Sequence, residues 1–196
     1  MSLIDVPAGQ LAAVVTYLEM RAPPADLDIP TSPLELRPVT PRPADYRELF
    51  RAVGAPWLWF SRLIMRDSQL RAIIDHPGVE LFEVRDGGQM AGMLELDRRV
   101  GHECELSFVG LLPSYAGQGH GRWLLAEAVA RAWTGDTKRV HVHTCSLDHP
   151  AALAAYRRAG FTAVARKVET FIDPRLAGIL PRDAAPHIPL VDPPGN

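Results

Sequence analysis

The chain has 196 residues, 47% hydrophobic and 22% charged, a globular composition that excludes a disordered or fibrous molecule and suffices for one well-buried domain. Its 21 Lys and Arg against 23 Asp and Glu leave a formal charge of -2, without the strong basic field that nucleic-acid binding draws on. The 2 cysteines, Cys104 and Cys145, form no C-x-x-C pattern and argue against a disulfide framework or a cysteine zinc site. No basic segment followed by an apolar one opens the sequence, and no run reaches the roughly 18 apolar residues of a membrane span. The expected setting is therefore the cytoplasm, with neither membrane nor nucleic acid as partner.

Leu11–Met20 is the first apolar stretch; its period fits helix or strand, and Val14, Val15, Thr16 and Tyr17 favour a strand. A Pro-containing connector follows, so residues 1–33 read as an N-terminal extension of a main domain spanning 34–172. A short strand is expected at Leu34–Val39, ended by Pro41 and Pro43. Helices over about 44–53 and 60–75 flank the turn signal Gly54-Ala55-Pro56. Strands at Val79–Val84 and Met90–Leu96 enclose the hairpin turn Asp86-Gly87-Gly88. A further strand, Glu103–Leu112, stops at Pro113. A glycine-rich turn at 117–121 then opens a helix with the apolar stripe Leu124, Leu125, Ala128, Val129 and Ala132. Arg139–Thr144 reads as a strand, Pro150 to Gly160 as a helix, and Phe161–Ile172 as a strand. Residues 173–196 form a Pro-rich tail with at most a short strand at His187–Val191. The order implies an α/β (α+β) fold, a mixed, mostly antiparallel sheet with helices on its faces.

A strand running into Gly117-Gln118-Gly119-His120-Gly121-Arg122 and then a helix lets backbone N–H groups converge on an anion at the positive helix end. No Lys followed by Ser or Thr accompanies these glycines, and the dinucleotide spacing is incomplete, so neither fingerprint is met. About thirty residues further on stands His149-Pro150-Ala151-Ala152-Leu153-Ala154-Ala155-Tyr156-Arg157-Arg158-Ala159-Gly160-Phe161.

Together the two segments resemble the signatures of the GNAT superfamily of acetyl-CoA-dependent N-acetyltransferases, Arg/Gln-x-x-Gly-x-Gly at Ala116–Gly121 and Asn-x-x-Ala-x-x-x-Tyr-x-x-x-Gly-Phe at His149–Phe161. The resemblance covers about residues 34–172. It implies a GNAT-like fold, acetyl-CoA as cosubstrate with no metal, and a small-molecule or peptide amine as acceptor, attacked directly in a ternary complex. Gly117, Gln118, Gly119, His120, Gly121 and Arg122 would hold the pyrophosphate, and Val109, Leu111 and His149 the pantetheine arm. Two departures stand out: Ala116 replaces Arg or Gln, and His149 replaces Asn.

The resemblance also makes Tyr156 the proton donor to the thiolate and Glu105, eleven residues before Ala116, the general base acting through water. A strand period of two places Glu105 on one face with Ser107 and Val109. His141 and His143 share a strand face; without a third ligand at sensible spacing they read as structural, or as an alternative base. Trp57 and Trp59, with Phe60, border the acceptor site in such a fold, cap the core or form a dimer contact. A homodimer is compatible with the sequence, the last strand of the sheet coming from the tail, from residues 11–20 or from a second subunit. The other functional reading is a non-catalytic acyl-CoA-binding sensor or interaction module with the same fold.

Overall fold

A computed structural model describes residues 3–193. Its centre is a seven-stranded sheet ordered β2-β3-β4-β5-β6-β1-β7, with β1 at Gln10–Met20, β2 at Leu34–Pro38, β3 at Val79–Asp86, β4 at Gln89–Asp97, β5 at Glu103–Leu111, β6 at Arg139–Cys145 and β7 at Thr162–Ile172. Neighbours are antiparallel except β5 and β6, which run parallel.

The strand expected near residues 11–20 is built into the sheet. β1 pairs with β6 on one side and β7 on the other, Thr16 opposing Thr144 and Arg166. Its Leu18 and Met20 join Val140, Val142 and Phe161 in the larger core. β7 forms the sheet edge beyond β1 and is exposed along nearly its whole length.

Helices cover both faces. α3 (His120–Ala132) buries Trp123, Leu124, Leu125, Ala128 and Val129 against one face, where α4 (Ala152–Arg158) also packs. α1 (Pro43–Gly54) and α2 (Asp67–Ile74) bury Tyr46, Phe50, Val53 and Leu70 against the other. The second helix is shorter than the pattern over 60–75 predicts. Residues 58–66 form turns, because Leu58 takes a left-handed φ of 55° and Arg62 is drawn inward to an ion pair with Glu95. The helix begins only at Asp67, where Gln69 Oε1 accepts from the Arg66 amide.

No strand forms at 187–191 either. Arg175, almost wholly buried, pairs with Asp173 at 2.7 Å and donates to the carbonyls of Ala184 and Ile188. The tail is thereby wound around one guanidinium instead of being extended, and Leu180 and Ala185 pack with Leu58.

Candidate active site

β5 and β6 are in register only at Glu103–Arg139, Cys104–Val140 and Glu105–His141. Beyond these three pairs the strands diverge, and residues 106–111 face residues 142–145 across an opening in the sheet. A strand edge left unpaired inside a sheet offers backbone N–H and C=O groups to an extended guest.

At the mouth of the opening the chain leaves β5 through the tight turn Pro113–Tyr115. Gly117 and Gly119 follow at φ 76° and 84°, conformations that a side chain would strain. A Cβ on Gly117, Gly119 or Gly121 would meet nothing within 4 Å, so packing does not call for glycine at any of the three; backbone direction does at Gly117 and Gly119. Among the described residues the amides of Gln118, Gly119, His120 and Gly121 find no backbone acceptor, and they stand at the positive end of the 13-residue α3. The cradle fits a pyrophosphate. Ala116, in place of Arg or Gln, contributes only main chain. Arg122 is held by Asp28 at 2.8 Å, and His120 Nδ1 lies 3.4 Å from Ser32 Oγ. The connector between β1 and β2 therefore passes beside the turn.

β5 does not keep a strict alternation. Leu106 pairs with Leu96 and Phe108 with Glu95, so Ser107 is an extra residue in the ladder, a β-bulge. Cys104 and Leu106 lie in the α3 core, and after the bulge Val109 and Leu111 return to that same side. Phe108 joins the α1 and α2 side. This corrects the expected grouping: Glu105 does not share a face with Val109. Val109 and Leu111 line the opening on the α3 and α4 side, whereas Glu105 faces the other side.

There Glu105 Oε1 lies 3.2 Å from Nδ1 of His143. That hydrogen bond holds the Glu105 carboxyl below its ordinary range, against a smaller opposing effect of burial. The same bond raises the imidazole of His143. His141 instead is lowered, chiefly by burial. Tyr156 on α4 is half-buried with its ring 5.8 Å from that of Phe161. Burial, with the charge of Asp148 adding to it, raises its phenol and keeps the proton on oxygen.

Trp59 joins the two sides of the opening. Its ring packs 5.1 Å from that of Phe108 on β5, and its Nε1 donates to Asp148 Oδ1 beyond β6. Trp57 sits at the outer rim, 5.0 Å from the ring of His149 and 5.6 Å from that of His187 in the tail. The exposed His149 accepts the Ala151 amide through Nδ1 at 3.1 Å, so this ring closes the turn that leads into α4.

One group escaped the sequence reading. Glu95 on β4 is wholly buried, accepts from Tyr46 Oη and Arg62 Nη2 at 2.5 Å each, and stands opposite Phe108 in the ladder. The Arg62 guanidinium lies over the Phe108 ring at 5.2 Å. The available signal was Glu95 standing between Leu94 and Leu96 in the otherwise apolar run Met90–Leu96.

Residues 44–161 match the model of the acetyltransferase (GNAT) family. The chain belongs to the GNAT acetyltransferase family. Over 83 residues it is 40% identical to the N-alpha-acetyltransferase RimI of Mycobacterium tuberculosis, a match that takes in 41% of this chain and 50% of RimI. It thus spans half the length of that curated relative. Solved GNAT structures share its fold. A GCN5-related N-acetyltransferase from Sphaerobacter thermophilus superposes with a TM-score of 0.55 at 20% identity over 85% of this chain and 52% of its own. One from Kribbella flavida does so with 0.55 at 19% identity over 87% and 63%. The family model begins at α1 and ends before β7, so β1 lies outside the stretch that identifies this GNAT protein.

Proposed function

We propose that the protein is an N-acetyltransferase of the cytoplasm that moves an acetyl group from acetyl-CoA to a primary amine by direct attack in a ternary complex. The observation that carries this reading is the juxtaposition of the open glycine turn at the head of α3 with the divergence of β5 from β6. The amides of 117–122 would hold the pyrophosphate, and the free edge of β5 at Val109 and Leu111 the pantetheine arm, with His149 at its side. Acetyl-CoA supplies an activated thioester, so the transfer needs no metal.

The chain's own groups then have separate tasks. A β5 amide near Val109 stabilises negative charge on the carbonyl oxygen. Glu105, kept ionised by His143, accepts the ammonium proton through water. Tyr156, kept protonated by its surroundings, returns a proton to the departing sulfur. Trp57 and Trp59 wall the acceptor side. Acceptors are small-molecule or peptide amines, and the likeness to a protein named for N-alpha-acetylation favours a peptide α-amino group.

Calorimetric titration with acetyl-CoA, with NADH and ATP as controls, tests the cradle. Saturable one-to-one binding is expected for acetyl-CoA alone and should vanish in Gly121→Glu, where φ is ordinary and only the new charge matters. Thiol release with α-amino peptides then tests chemistry. Binding without turnover for any amine would instead support the non-catalytic module, and no binding would overturn both readings.

A further inference from the structure

The outer strand of the sheet leaves one of its edges open. β7 is 11 residues long and stands at the sheet edge, and no backbone group among the described residues pairs with its outer side. From Ala165 to Ile172 it pairs with β1 without interruption; the irregularity lies next to Val164. Val168 is 66% exposed and Ile172 63%, and Val14, opposite Val168 on β1, is 45% exposed. A long edge bearing exposed valines is one that soluble proteins usually guard against pairing.

The charges on β7 specify what fits there. Arg166, Lys167 and Glu169 are its ionic residues. When two copies of one strand pair about a two-fold axis perpendicular to the sheet, each face stays on its own side, so the ladder must be centred on a residue. Centring on Arg166, Lys167 or Glu169 sets a like charge against itself. Centring on Ala165 runs the ladder across the irregularity, and centring on Thr170 leaves only five residues of overlap with the strand end. Centring on Val168 sets Lys167 opposite Glu169 twice, and brings Val168 against its own copy with Val14 flanking on each side.

We infer that β7 pairs with β7 of a second copy of this chain, antiparallel and centred on Val168, making one continuous sheet across a homodimer. Backbone hydrogen bonds supply the ladder, the row of four valines the apolar seam, and the two Lys167–Glu169 pairs the register. The surface lies away from the β5–β6 opening, so the inference does not depend on the proposed reaction.

Sedimentation equilibrium of the full chain at concentrations up to about 100 µM tests it, with charge reversal as the discriminating element. Twice the chain mass is expected for the wild type. Lys167→Glu and Glu169→Lys each put like charges together and should weaken association on the order of tenfold. Mixed in equal amounts, the two variants restore opposite charges at both positions and should associate as the wild type does, which also excludes misfolding of either one. A single chain mass for the wild type throughout, a dimer indifferent to both reversals, or a mixture no tighter than its components would each overturn the inference.

Discussion

Trp59 Nε1 donates to Oδ1 of Asp148 at 3.1 Å, fastening the connection between α1 and α2 to the loop that leads into α4. The two segments lie on opposite sides of the β5–β6 opening, so this bond fixes the width of the gap. Asp148 is otherwise occupied by Thr144 Oγ1 and the Cys145 amide through its second oxygen. Trp59→Phe should keep the packing on Phe108 and lose one hydrogen bond, costing about 1 kcal/mol in urea denaturation. Asp148→Ala strands three donors and should cost about 2 to 4 kcal/mol.

Tyr156→Phe removes the hydroxyl proposed to protonate the departing sulfur without changing the shape of its pocket. Turnover should fall on the order of a hundredfold while the calorimetric affinity for acetyl-CoA stays within about twofold. A fall in affinity matching the fall in rate would assign the ring to binding.

The Glu105–His143 pair gives stability a signed dependence on pH. His143 is raised in the fold, so its contribution is complete below its ordinary value of 6.5 and is lost as pH rises through the higher folded value. Glu105 is lowered, so its contribution holds above its ordinary value of 4.5 and is lost as pH falls through the lower folded value. Between those limits the pair is fully formed. Half of the His143 side chain is exposed, which limits the effect to a few tenths of a kcal/mol. Urea midpoints for the wild type should drop slightly from pH 6 to pH 8, and those of His143→Gln should not show that drop.

Arg62→Ala would leave Glu95 buried without its cation and should destabilise the fold by about 3 to 5 kcal/mol. The double change Arg62→Met with Glu95→Leu should be the milder one, because it removes both charges together. Thermal melts of the single and double variants measure the difference.

At the glycine turn, Asp28 holds Arg122, the side chain proposed to reach the pyrophosphate. Both side chains are largely exposed, and an exposed ion pair contributes at most about 1 kcal/mol. Asp28→Asn should therefore tighten acetyl-CoA binding, by no more than about fivefold.

What the sequence disclosed was local. The hairpin at Gly87-Gly88, the glycine turn before α3 and the stop at Gly160 each carry their signal within a few residues, and each stands where the pattern puts it. The extra residue at Ser107 has no such signature, and it alone decides that Val109 and Glu105 face opposite sides. The Tyr46–Glu95–Arg62 cluster joins positions 49 and 33 residues apart, and a glutamate in a strand reads as solvated until its partners are known. The same holds for Trp59. Its place in an aromatic group was legible, whereas its bond to Asp148, 89 positions away, was not.

The place of β1 between β6 and β7 sets the order in which the molecule can assemble. Val14 and Ser146, bonded through the Val14 amide, stand 132 positions apart. At about 5 to 20 residues per second, β1 waits on the order of ten seconds on the ribosome before β6 appears, and longer for β7. During that time its apolar Val14, Val15, Leu18 and Met20 have no strand to pair with. Until β1 docks, β7 has no neighbour either, since β1 alone connects it to the sheet. The last strand of the sheet is thus locked by the first, and β1 needs shielding from its own emergence until that of β6.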